Sequence, residues 1–284
     1  MPGDGETPPK TNFSATFWGV RGSIPCPGEA TIRYGGNTAC LEVCCGQDRL
    51  IFDAGTGLRP LGMKLMEEPG PHVLDIFLSH THYDHVGGLP FFVPAFVPGN
   101  TIRLWAGNLK PELCLKQVLA QMMAEPLFPV PIEALRAVIS YTDFDVGTVL
   151  EPRPGIRLST APLNHPNRAT GYRIDYAGKS ICYVTDTEHP ASGLDMNILK
   201  LIERADYVIY DAMYTAAEYP HYRDWGHSTW EAGIRLVEAA GAKHLVVFHH
   251  SPKHDDAAMD EIAAAAARAR HGTLVAREGM ILTP

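Results

Sequence analysis

An α+β fold, a four-layer αββα sandwich of two mixed sheets packed face to face with helices outside, is the class that three observations predict. Strand-like apolar runs fall into two blocks, one ending at Ala106 and one from Ala137 onward, and each block carries helical stretches. No linker divides them. With 284 residues, 45% hydrophobic and 20% charged, the chain has enough apolar surface for one large core, so residues 12–284 are expected to form a single domain.

Residues 1–11 are polar and rich in Pro and Gly, with no apolar core of a secretory signal, which predicts a disordered lead and a cytoplasmic protein. Residues 12–18 alternate as a strand and run into the turn formers Trp18-Gly-Val-Arg-Gly-Ser-Ile-Pro and Cys26-Pro-Gly. Residues 38–45 and 49–52 predict a hairpin around Gly46-Gln47-Asp48. Asp53-Ala-Gly-Thr-Gly then closes the second strand before a short helix over 58–67. After a strand at 73–78, Gly87-Gly88-Leu89-Pro90-Phe91-Phe92 begins a helix-like segment that Pro94 and Pro98 end. Residues 102–106 read as a strand, and 111–123 as a helix with Pro111 and Glu112 in its first turn.

The apolar, proline-stiffened loop 125–131 suits a lid, an oligomer contact or core packing. Strands follow at 137–141, 148–151, 156–161, 170–176 and 180–185, then a helix over 193–204 and a strand at 207–210. Ser228-Thr-Trp-Glu231 is a capping-box pattern, opening a helix that Gly241 ends. The strand 244–248 runs into His249-His250, and a helix over 255–270 precedes two short closing strands. Six scattered cysteines, with Cys44 and Cys45 adjacent, read as reduced apolar fillers.

The chemistry gathers at His80-Thr81-His82-Tyr83-Asp84-His85, four metal-capable side chains directly after an apolar strand. Left without a cation, such groups would face each other uncompensated. His165, Asp186 and His249 each follow an apolar strand too, and strand ends on one sheet edge converge. Together these make seven ligands, enough for two ions sharing one carboxylate. Strand alternation puts His249 and His250 on opposite faces and does not choose between them.

In this order, with Asp53, these residues resemble the metallo-β-lactamase fold superfamily over nearly the whole chain. Trp18-Gly-Val-Arg-Gly-Ser-Ile-Pro, Tyr34-Gly-Gly-Asn-Thr and Gly226-His-Ser-Thr are similar to its phosphodiesterase branch, which includes tRNA 3′-processing endonucleases, cyclic-nucleotide phosphodiesterases and a cyclic-phosphate hydrolase. The resemblance implies that His80, His82 and His165 hold one ion, that Asp84, His85 and His249 hold the other, and that Asp186 bridges them. It implies that Asp53 orients a ligand, and that Asp211 and His227 act at the leaving group. Two divalent ions are implied; zinc suits the ligand set, with manganese and iron as alternatives.

Among substrates, a net charge of −8 without a Lys/Arg run disfavours a long nucleic acid. His165 and Asp186 are 21 positions apart, too close for the long arm that tRNA-processing members of the branch usually carry between them. A small phosphodiester, above all a cyclic nucleotide, is the expected substrate. tRNA 3′-processing and lactone or thioester hydrolysis are the alternatives, and a non-catalytic sensor is a further one that the full ligand set argues against. No run is apolar and long enough for a membrane span, and the loop 127–132 offers a surface for the homodimer common in the branch. His221 lies among Tyr214, Tyr219, Tyr222 and Trp225, an aromatic cluster suited to packing or to stacking on a base.

Overall fold

Alternating burial along Phe13–Gly19 (β1) turns Phe13, Ala15 and Phe17 inward, and this strand begins a computed structural model that describes residues 12–284. The expected lead, 1–11, lies outside the described residues. Cys40–Cys45 (β2) and Asp48–Phe52 (β3) form the expected hairpin, and Val73–Leu78 (β4), Thr101–Ala106 (β5) and Val138–Asp143 (β6) follow in parallel. The second sheet starts with the antiparallel Val149–Arg153 (β7), Ile156–Leu163 (β8), Ala169–Tyr176 (β9) and Lys179–Val184 (β10). It continues in parallel through Tyr207–Asp211 (β11), His244–Phe248 (β12) and Leu274–Val275 (β13). Ile281–Leu282 (β14) returns to pair with β1, so the two seven-stranded sheets run β14-β1-β2-β3-β4-β5-β6 and β13-β12-β11-β10-β9-β8-β7.

The inner faces meet in an aromatic core. Phe52, Phe77, Tyr172, Tyr183 and Phe248 are essentially inaccessible, with Phe52 and Phe77 stacked at 5.5 Å. Each such ring buried contributes roughly 2–3 kcal/mol. Outside the first sheet lie Leu58–Leu65 (α1) and Leu115–Met122 (α3), with the one-turn Tyr83–Val86 (α2) between them in the chain. Outside the second lie Met196–Leu201 (α4) and Trp230–Ala239 (α5), followed by Asp256–Ala269 (α6). Asp75 on β4 and Arg153 on β7 join the sheets through a 2.7 Å ion pair.

Several expected boundaries shift, each for a local reason. Helix α3 starts at Leu115 rather than Pro111, because the Asp143 carboxylate at the end of β6 accepts the Leu115 N–H at 3.0 Å. Helix α5 is capped by Thr229, whose hydroxyl accepts from Ala232 N at 3.2 Å, and not by Ser228. Glu231 turns instead to Ala216 N, at 3.1 Å. Asp195 caps α4 and shortens it to 196–201. The segment after Gly87 resolves into two 3₁₀ turns, Leu89–Phe91 and Val93–Phe96, since prolines interrupt it. Among the described residues no helix is long and apolar enough to cross a membrane.

Candidate metal centre

Parallel strands end on one edge, and that edge carries the site. His80 follows β4, His165 follows β8, Asp186 follows β10 and His249 follows β12. Helix α2 then presents Asp84 and His85 from the turn after His82. The ligand-type atoms of His80, His82 and His165 lie within 4.8 Å of one another, as do those of Asp84, His85, Asp186 and His249.

Asp186 joins the two groups. Its Oδ1 lies 3.9 Å from His80 Nε2 and 3.6 Å from His165 Nε2, while its Oδ2 lies 3.1 Å from His85 Nε2 and 3.2 Å from His249 Nε2. Asp84 Oδ2 sits 3.2 Å from His85 Nε2 and 3.3 Å from His249 Nε2. One carboxylate thus addresses each group with a different oxygen.

The donor set fits two divalent cations. The Nε2 atoms of His80, His85 and His249 are buried without a hydrogen-bond partner among the described residues, which is costly unless something electrophilic stands between them. Burial holds the His82 and His165 imidazoles below their ordinary pKa, and burial with the neighbouring His85 does the same to His80, so all three favour the neutral, ligating form. Burial would raise Asp186, but His249, His85 and His80 hold it well below the usual carboxylate range. His85, although buried, is pushed up by Asp84, Asp186 and Asp53, an excess of negative charge that a cation would neutralise.

Four of the candidate ligands are aimed from behind. Asp53 Oδ2 accepts from His85 Nδ1 at 2.8 Å, and the Asp53 carboxylate also takes Ser79 N at 2.7 Å and Tyr183 Oη at 2.8 Å. Ser79 Oγ meets His80 Nδ1 at 3.0 Å, His165 Nδ1 donates to Gly226 O at 2.8 Å, and Ser23 N donates to Asp84 Oδ2 at 2.7 Å. His250 points elsewhere. Its Nε2–H donates to Ala276 O at 2.8 Å, and burial lowers its pKa to about 3.

Three of these residues adopt left-handed backbone: Asp53 at φ 62°, Asp186 at 57° and His249 at 63°. Each costs about 1–2 kcal/mol for a residue with a Cβ. The bend turns each side chain off its strand and into the centre. For His249 this is what separates it from His250.

Beside the centre, His227 Nδ1 lies 2.9 Å from Asp211 Oδ2, and Asp211 is fixed in turn by Thr187 N at 3.0 Å and Met213 N at 3.1 Å. Burial opposes charge on His227, but the Asp211 carboxylate and its hydrogen bond raise it to about 9. The geometry therefore brings together all nine residues singled out for metal binding or catalysis, and it places Asp53 behind His85. Glu188 escaped the sequence reading, although it stands two positions beyond Asp186. Its partners Asp224 N and Gly226 N lie 36 and 38 positions away and left no local signal.

The aromatic cluster is packed around this edge. Tyr214 stacks on Tyr222 at 4.3 Å, Tyr219 lies 4.3 Å from His189, and Trp225 is left 61% exposed.

Comparison with known proteins places the chain in a family. The family model described as "Beta-lactamase superfamily domain" matches residues 48–250. The ribonuclease Z of Pyrococcus furiosus is 33% identical over 284 residues, covering 84% of this chain and 86% of that protein. The ribonuclease Z of Mycobacterium avium is 25% identical over 267 residues, covering 84% and 86%. The metallo-β-lactamase fold protein YhfI from Bacillus subtilis superposes with a TM-score of 0.70 at 19% identity, covering 96% of this chain and 99% of that one. The chain therefore belongs to the β-lactamase superfamily, as a hydrolase with the metallo-β-lactamase fold.

Proposed function

We propose that this chain hydrolyses a phosphodiester with two divalent cations, one held by His80, His82 and His165, the other by Asp84, His85 and His249, with Asp186 between them. The observation that carries the reading is the division of the Asp186 oxygens between the two groups. When bound, such cations supply positive charge to the phosphoryl oxygens and activate water for attack.

The remaining work falls to the chain. Asp211 holds the Nδ1–H of His227, so the tautomer is set and Nε2–H is left to donate. The Asp211 carboxylate and its hydrogen bond favour the protonated form of His227, which is placed to protonate the departing oxygen. Asp53, Ser79 and the Gly226 carbonyl keep His85, His80 and His165 oriented.

For the substrate, the relatives named ribonuclease Z support cleavage at an RNA 3′ end over the cyclic nucleotide expected from the sequence. A second reading, a small phosphodiester, has its own support. The 21 positions from His165 to Asp186 are occupied almost wholly by β9, its turn and β10, and acidic residues outnumber basic ones by 32 to 24. Zinc- and manganese-loaded protein assayed on precursor tRNA, 3′,5′-cyclic AMP, 2′,3′-cyclic AMP and bis(p-nitrophenyl) phosphate separates the two, with Asp84→Ala as control. Cleavage of lactones or thioesters with all four phosphodiesters untouched would refute the reaction class.

A further inference from the structure

Beside His165 a cleft of about 820 Å³ opens to solvent, within the size range of small-ligand sites. Its floor is firmly tied. The Glu188 carboxylate accepts from Tyr219 Oη at 2.7 Å, Asp224 N at 2.9 Å and Gly226 N at 2.9 Å, and Asn164 Nδ2 donates to Glu188 O at 3.0 Å. His189 Nδ1 meets Ser228 Oγ at 2.8 Å while its ring packs on Tyr219. The loop that offers its Gly226 carbonyl to His165 and carries His227 thus also walls the cleft.

The position and the lining both suggest an occupant. Asp211 takes the Nδ1 of His227, whose ring stands 5.2 Å from His165 and 5.1 Å from His249, so an oxygen protonated by His227 departs between these two groups, with His165 at one side. The concavity on that side is this cleft. Pro166, Pro190 and Ala191 give it apolar wall suited to the flat face of a base. The exposed side chains of Asp224 and Arg223 make no ion pair among the described residues, and they suit ribose hydroxyls and a phosphate respectively.

Resting on the phosphodiesterase reading, we infer that the cleft is a nucleoside subsite, receiving the ribose and base attached to the departing oxygen, with Arg223 meeting the next phosphate of an oligonucleotide. The enzyme is then built for a nucleotide on the leaving side rather than for any diester that reaches the metals.

The test fills the cleft from an exposed position with Ala191→Trp and compares metal-loaded variant and native protein. For a dinucleoside monophosphate, kcat/KM falls about tenfold or more, mainly through KM, while for bis(p-nitrophenyl) phosphate it stays within about twofold. Calorimetry on the same proteins gives a readout free of turnover: native protein binds adenosine monophosphate more tightly than inorganic phosphate, and Ala191→Trp abolishes the difference. Arg223→Ala leaves the dinucleoside monophosphate unaffected and weakens a trinucleotide. An equal fall on both diesters, or an adenosine monophosphate preference that survives Ala191→Trp, overturns the subsite. Native protein inactive on both diesters overturns the phosphodiesterase reading instead, and the binding comparison still decides the cleft.

Discussion

Replacing Asp53 by Asn keeps the shape of a fully buried side chain and removes its charge, at a carboxylate that serves four donors. Ser79 N, Ser79 Oγ, Tyr183 Oη and His85 Nδ1 approach it at 2.7, 2.9, 2.8 and 2.8 Å. Bonds to an ionised acceptor contribute about 1.5–3 kcal/mol each and are not additive. An Asn oxygen can keep Ser79 N, but its amide then faces His85 Nδ1 and Tyr183 Oη as a donor. His85 relieves the clash by moving its proton to Nε2, the atom aimed at Asp84 and Asp186. A protonated Nε2 cannot ligate. Loss of such an orienting partner typically lowers metal affinity about 10–100-fold, equivalent to about 1.4–2.8 kcal/mol. Competition against a graded series of chelators, with metal content read by elemental analysis, should show one of the two ions lost first in Asp53→Asn. A variant that keeps both ions at native affinity and is only less stable would reduce Asp53 to a structural acid and refute the aiming argument.

His227→Ala should retain both ions and lose about 10²–10⁴-fold in turnover on a diester with a poor alkoxide leaving group, but far less with p-nitrophenolate, which needs no acid; equal losses on both would remove His227 from proton transfer. Gly226→Ala places a Cβ 2.5 Å from His165 Nδ1 at a φ of +82°, so metal content at the His80 group should fall together with activity, as chelator titration would reveal. Burial opposes the charge on Asp206, but Lys243, 2.6 Å away, and Ser180 N lower its pKa. The stabilisation it gives is present above about pH 4, the ordinary carboxylate range, and fades as pH falls through the lower folded value. Urea melts of Asp206→Asn should therefore show their deficit near neutrality and approach native as pH falls below the ordinary carboxylate range.

Why some features could be read in advance and others could not follows from the range of the interactions. The motif from His80 to His85 is local, because one strand end and one turn of helix deliver four groups within six positions. His165, Asp186 and His249 were legible only as strand ends, and choosing His249 over His250 rested on resemblance until the left-handed bend at His249 became visible. The cap of α5 was misplaced by one residue because Ser228 has a competing tertiary role, bonding Tyr210 and His189, while Glu231 serves a distant N–H. The start of α3 depends on Asp143, 28 positions away, so no local pattern at Pro111 could place it. Glu188 belongs to the same class, since an acid that organises backbone from another loop looks, in sequence, like any surface glutamate.

The left-handed bends at Asp53, Asp186 and His249 also bear on how the chain can drift. At Asp186 and His249 glycine would ease the backbone by about 1 kcal/mol while deleting the side chain, whereas at Asp53 the four hydrogen bonds that the carboxylate accepts outweigh that relief. The strain at Asp53 is thus offset within the fold, and that at Asp186 and His249 only by what their side chains do at the centre.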